Sequence, residues 1–213
     1  MIGRENEKKE LLNLLNSNKS ELVAVYGRRR VGKTFLIDEV YRNYIGFRHT
    51  GLPPIYNEKE KENSNKVKRQ LEAFYQSLKF YGLINKKTSK PSTWIEAFSL
   101  LSLAIKEKYN NRRIVLFIDE LPWMDTPKSY FLEAFSYFWN NFCICDNNII
   151  LVVCGSTSSW ILDNVIHNKG GLYGRVTHVI KVLPFNLKET NISDKEFNKL
   201  LKKYSINWNL LLY

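Results

Sequence analysis

AVYGRRRVGKTFLID, residues 24–38, decides the fold. Gly27 and Gly32 bracket Arg28, Arg29, Arg30 and Val31, and Lys33 and Thr34 follow at once. The spacing is G-x-x-x-x-G-K-[ST], the pattern of a loop that wraps phosphate. Its glycines let the backbone turn and come close to a phosphate. Successive N–H groups then point inward, and the positive end of the following helix adds to their field. At these positions a lysine reaches β- and γ-phosphate oxygens and a threonine offers its hydroxyl to Mg2+. The three arginines lie outside the pattern. They either add positive field at the phosphates or face water.

The flanks agree with this reading. ELVAVYG, residues 21–27, is a compact apolar run ending in glycine, and TFLIDEVYRNY, residues 34–44, has helical periodicity. The order strand, glycine-rich loop, helix is what the motif requires. Upstream, ENEKKELLNLLN (5–16) places Leu11, Leu12, Leu14 and Leu15 at amphipathic helical spacing. Downstream, GFRHTGLPP (46–54) reads as a short strand stopped by Pro53-Pro54. The charged stretch 57–70 reads as a loop leading into a helix over about 65–81. Thr93 with Glu96 three residues on predicts a capping box opening a helix to Tyr109. RRIVLFIDELPW (112–123) and NIILVVCGSTS (148–158) are strands with apolar interiors, separated by an aromatic-rich helix near 128–142. A short helix over 158–167, the loop NKGGLYGR, a last strand in VTHVIKV and a helix near 193–204 complete the chain. Strands apolar on both faces, alternating with helices, imply an α/β fold with a parallel sheet covered on both sides. Ligands on such sheets bind beyond the C-terminal strand ends.

Those ends carry the remaining chemistry. IVLFIDE delivers Asp119 to the edge that holds Lys33, where a carboxylate can hold the Mg2+ shell. Glu120 follows and can orient a water against the γ-phosphate. Ser156 and Thr157 end the next strand. Ser156 either brings a hydroxyl to the γ-phosphate and its attacking water or caps the helix that starts near Ser158. Arg175 lies in a glycine-bracketed loop before the last strand. It either reaches a phosphate of its own or a neighbouring chain, as an arginine finger does, or is a solvated loop residue.

Composition narrows the class. A chain of 213 residues that is 44% hydrophobic can build one sizeable core. No apolar run approaches the ~20 residues of a membrane span, and the charged start MIGRENEKKELL lacks a secretory segment. The expectation is a cytoplasmic protein. Cys143, Cys145 and Cys154 are expected to be buried reduced thiols, and their spacing lacks the second ligand pair of a zinc site. The formal net charge of +11 suits phosphate-bearing partners. The lysines are scattered, however, so most of that charge reads as solvated surface.

GRRRVGKT, FIDELPWMDT, LVVCGSTSSW and NKGGLYGRVT occur in an order that resembles the archaeal-type ATPases of the STAND group, relatives of the AAA+ P-loop NTPases. The resemblance runs from Ile2 to about Phe185. It implies strands in the spatial order 5-1-4-3-2. It matches Lys33 and Thr34 to Walker A, Asp119 and Glu120 to Walker B, Ser156 to the sensor 1 region and Arg175 to a finger arginine. Ile2-Gly3-Arg4-Glu5 resembles the family's N-terminal box, which packs near adenine. Family members continue into a helical lid, a winged-helix region and often a nuclease-like domain. The expectation here is an ATPase core over 1–185, with a charged insertion near 55–92, and over 186–213 a helical tail that begins a truncated lid.

The function expected is Mg-dependent ATP binding and hydrolysis that drives a conformational switch, with ATP and Mg2+ as cofactors. Gly27 to Thr34 hold the nucleotide, Thr34 and Asp119 the metal, and Glu120, Ser156 and Arg175 carry the chemistry. Three rivals stand beside it: a nucleic-acid-binding module that keeps a P-loop, a small-molecule kinase, and a remnant that binds ATP but scarcely hydrolyses it. A nucleic acid or a protein client, and further copies of the chain, are the partners the sequence admits.

Overall fold

The computed structural model describes residues 3–54, 63–110 and 112–185. The expectations placed on Ile2, on the charged loop at 57–62, on the helix near 193–204 and on the tail over 186–213 lie outside the described residues.

Five strands, β1 (Glu21–Tyr26), β2 (Ile45–Thr50), β3 (Ile114–Asp119), β4 (Ile149–Gly155) and β5 (His178–Lys181), form one sheet in the order β2-β3-β4-β1-β5. Every pairing is parallel. This is the expected 5-1-4-3-2 order seen from the other edge. The helices are α1 (Glu5–Leu15), α2 (Lys33–Tyr41), α3 (Asn63–Phe80), α4 (Trp94–Tyr109), α5 (Phe131–Asn141) and α6 (Ser158–Ile161). The last continues as a π turn over Leu162–Ile166.

The central strands β3 and β4 are buried at every residue, because their two faces feed two separate cores. Alternation along a strand sends Leu116 and Ile118 to one face and Val115 and Phe117 to the other. The first core is covered by α3, α4 and α5 and is rich in rings. Phe98 and Phe138 stack at 4.9 Å, and Trp94 meets Phe131 edge-on at 4.9 Å. The second core is aliphatic: Leu11 and Leu14 of α1 and Leu36 and Ile37 of α2 lie on Val23, Val25, Ile150 and Val152. Each such side chain removed from water contributes roughly 1.5–3 kcal/mol. Of the four leucines expected on one face of α1, Leu12 is 48% exposed, so the buried stripe is narrower than the expected one. Cys143 and Cys154 are buried free thiols as expected, but Cys145, in the turn after α5, is exposed.

Thr93 caps α4, accepting from the Glu96 N–H at 3.2 Å. The Glu96 carboxylate reaches back to the N–H and hydroxyl of Ser92, at 2.7 and 2.9 Å, so the box closes one residue earlier than expected. At the N-terminal edge of the sheet, Arg113 donates to the carbonyls of Leu14, Lys19 and Asn147. That edge is thereby closed, and the opposite edge, where β1, β3 and β4 end, is left for ligands.

Candidate nucleotide site

β1 runs directly into the loop. Gly27 has φ 150°, and a Cβ there would stand 2.2 Å from the Val182 carbonyl oxygen. No residue with a side chain fits while the exit from β5 stays where it is. Gly32, at φ 88°, precedes α2, and its carbonyl accepts the Leu36 N–H at 2.9 Å. Lys33 is buried at 6% exposure, and its ammonium donates to the carbonyls of Gly27 and Arg28, each at 2.8 Å. The charge is thus held inside the ring of backbone that the motif forms. Arg28, Arg29 and Arg30 are exposed, and Val31 is half-buried.

β3 delivers Asp119 to the same place. Its carboxylate accepts the Thr34 hydroxyl at 2.7 Å and the Glu120 N–H at 2.9 Å, and the residue is 5% exposed. Two hydrogen bonds offset the cost of burying that charge. Glu120 turns the chain in a left-handed conformation, φ 48° and ψ 47°, into a single turn over Leu121–Trp123. Its carboxylate accepts from the Ser156 N–H at 3.2 Å and from the Ser156 hydroxyl at 2.9 Å. Ser156 is therefore spent on Glu120. The residue before α6 is Thr157, and it makes no side-chain cap. The Arg29 Nε lies 3.4 Å from the Ser156 hydroxyl, and its guanidinium sits over the Trp123 ring at 5.6 Å. A cleft of about 480 Å3 joins Arg29, Arg30, Lys33, Thr34, Glu120 and Trp123.

Arg175 is the expected residue that the structure does not bring in. It is exposed and follows Gly174, with His178 paired to Val23 in parallel register and the Thr177 N–H bonded to the Leu22 carbonyl. A residue that precedes a parallel strand stands at the N-terminal edge of the sheet. About 20 Å of strand, at ~3.3 Å per residue, separates it from the loop after β1. Reach to a phosphate of its own chain is closed by this topology.

One residue of the site, Trp123, carries no role in the sequence pattern, and Arg4 enters it only within the N-terminal box. Trp123 walls the cleft, and its only local signal is an aromatic three residues past the paired acids. Arg4 is 2% exposed; it donates to the Val31 carbonyl at 3.2 Å and to the Leu183 carbonyl, and lies over the Phe185 ring at 4.3 Å. It ties the opening segment to the phosphate loop and to the exit from β5.

The chain is similar to several known proteins. The family described as an ATPase domain predominantly from Archaea matches residues 1–209. An uncharacterized protein of Methanocaldococcus jannaschii is 27% identical over 187 residues, 88% of this chain and 36% of that protein. Among solved structures, a Walker-type ATPase of Pyrococcus abyssi superposes with a TM-score of 0.58 at 20% identity, over 97% of this chain and 60% of that one. Cdc6p of Pyrobaculum aerophilum gives 0.56 at 16% identity, over 93% and 48%. The ORC2 protein of Aeropyrum pernix gives 0.54 at 13% identity, over 93% and 52%. The chain thus spans about a third of the curated relative and 60% or less of these structures. At these identities the structural likeness is one of fold.

Proposed function

The chain belongs to the family of ATPase domains found predominantly in Archaea, and from that premise we propose that it is an AAA+-type P-loop ATPase that binds Mg-ATP, hydrolyses it and uses the cycle as a conformational switch. The observation that carries the proposal is the contact of the Thr34 hydroxyl with Asp119 at 2.7 Å, beside the buried Lys33. A hydroxyl and a carboxylate are the hard oxygen donors Mg2+ prefers, and two protein oxygens leave the rest of an octahedron to water and phosphate. The residues fit the metal, and Thr34 and Asp119 would hold it. When bound it neutralises charge on the phosphate oxygens.

The chain's own residues supply the rest. The N–H groups of 27–34 and the Lys33 ammonium hold the phosphates, the lysine exchanging its two loop carbonyls for phosphate oxygens. Glu120 orients the water, with Ser156 fixing its carboxylate. In hydrolysis the water oxygen bonds to the γ-phosphorus and the bond from that phosphorus to the bridging oxygen breaks. The bridging oxygen leaves on ADP with the electron pair, and the water's proton passes to Glu120. Arg175 can serve only a neighbouring chain. The catalytic core is proposed to run to residue 185, with 186–213 beginning a lid. Among the described residues no helix is long and apolar enough to cross a membrane.

Titration of Mg-ATP against the wild type and Lys33→Ala, followed by thermal unfolding, tests the reading. A ligand at 100 times its Kd adds about 2.7 kcal/mol. At about 2–4 °C per kcal/mol for a chain of this size, that is a rise of roughly 5–10 °C in Tm. Lys33→Ala is expected to lose most of the rise, and an undiminished rise in the variant would overturn the assignment. The formal charge of +11 and the three exposed loop arginines favour nucleic-acid binding as a second reading. Steeply salt-dependent DNA binding that Lys33→Ala leaves untouched would support it.

A further inference from the structure

Resting on the reading above, we infer that Arg29, at a position the phosphate-loop pattern leaves unspecified, is a catalytic residue: its guanidinium supplies in cis the positive charge that stabilises the transferring phosphoryl group.

The first ground is placement. Arg29 lines the cleft that also holds Lys33, Thr34 and Glu120. Its Nε touches the Ser156 hydroxyl at 3.4 Å, and that hydroxyl donates to Glu120 at 2.9 Å. The guanidinium is therefore one side chain away from the carboxylate that positions the water. Arg30 lines the same cleft but makes no hydrogen bond to the Ser156–Glu120 pair. The carbonyl of Arg28 faces inward, to Lys33.

The second ground is availability. Among the described residues no carboxylate lies within ion-pair distance of Arg29. One longish hydrogen bond and the face of Trp123 hold it, so little is given up when it turns to a phosphate. Arg4, a buried cation of the region, is by contrast committed to two backbone carbonyls.

The third ground is what the fold denies. Lys33 brings an ammonium rather than a fork, and Arg30, the remaining cation lining the cleft, makes no hydrogen bond to the Ser156–Glu120 pair. Arg175 stands at the far edge of the sheet. During hydrolysis charge spreads over the three equatorial oxygens of the phosphoryl group and onto the leaving oxygen, and a planar fork of N–H donors matches that distribution better than an ammonium. Arg29 can provide this fork without a neighbour.

The test is calorimetric titration of the full chain with Mg-ADP alone and with Mg-ADP plus aluminium fluoride, which mimics the phosphoryl in transit. The wild type is expected to bind ADP about a hundredfold or more tightly with fluoroaluminate, as transition-state analogues do. Arg29→Ala and Arg29→Lys are expected to keep ADP affinity within a few-fold, which also reports intact folding, and to lose most of the gain. Loss in the lysine variant separates the fork from mere charge. A full gain in Arg29→Ala overturns the inference and leaves the proposed function standing. Equal weakening of ADP and ADP–fluoroaluminate makes Arg29 a uniform phosphate binder and overturns it too. If the wild type binds ADP but shows no gain, the hydrolytic reading itself fails and the inference falls with it.

Discussion

Glu120 occupies a left-handed backbone well that costs an L-residue on the order of 1–2 kcal/mol. The cost is met by the hydrogen bond of its own N–H to Asp119 and of its carboxylate to Ser156. Adjacent acids are thereby pointed to different tasks: Asp119 faces Thr34 and Glu120 faces Ser156. Glu120→Gln is expected to keep nucleotide affinity within a few-fold and to lose hydrolysis by roughly 100-fold or more, the scale of general-base catalysis. Asp119→Asn is expected instead to weaken the Mg2+ dependence of binding. Phosphate release and titration on the two variants check both, and wild-type turnover in Glu120→Gln would remove the water-positioning role. The loop and Asp119 were legible in the sequence because one motif and one apolar strand fix them locally. The Glu120–Ser156 bond was not. It depends on where the ends of β3 and β4 come to lie, 36 residues apart in the chain.

Elements were read well where the chain is apolar without interruption, as in β1, β3 and β4, since only a strand buried on both faces tolerates such a run. The residues after β4 predict a short helix over 158–167, but after one turn it widens into a π turn, which residue types do not signal. Once β5 is parallel to β1, Arg175 must stand at the N-terminal edge, whatever its residue type suggests. The contact between β2 and α3 carries a pH dependence of its own. His49 of β2 is 2% exposed, edge-on to Phe74 at 5.1 Å. Ser77 donates to the Ala73 carbonyl, so the ring's Nδ1 carries the hydrogen that Ser77 accepts at 2.9 Å, and Nε2 has no partner. Burial pushes its pKa down from 6.5 to about 4. The unfolded chain takes up this proton below pH 6.5, and the folded one does not until about pH 4. Stability is therefore complete above pH 6.5 and is lost as pH falls toward 4, by about 3 kcal/mol at most. Thermal unfolding from pH 7 to pH 4 is expected to show a shallower decline in His49→Leu than in the wild type. Equal declines would clear His49 of the effect.

For the whole molecule the decisive geometry is the separation of Arg175 from the phosphate loop. A residue at the far edge of the sheet acts on hydrolysis only by meeting the loop of another copy. Turnover per chain is then expected to rise with protein concentration, and Arg175→Ala is expected to abolish the rise while sparing ATP binding and the turnover of the isolated chain. A flat dependence in the wild type would return Arg175 to a solvated loop residue. Arg4 bears on the same scale. One buried guanidinium grips the Val31 carbonyl in the phosphate loop and the Leu183 carbonyl past the last strand, while its own backbone opens α1. Hydrogen bonds of a charged donor to backbone are worth about 1.5–3 kcal/mol each, enough for the three segments to travel as one linkage. The phosphate loop is thereby tethered to the exit from β5. On the proposed cycle, Leu183 is where a displacement of the phosphate loop at Val31 would reach the chain past β5, as a crank moves with its shaft.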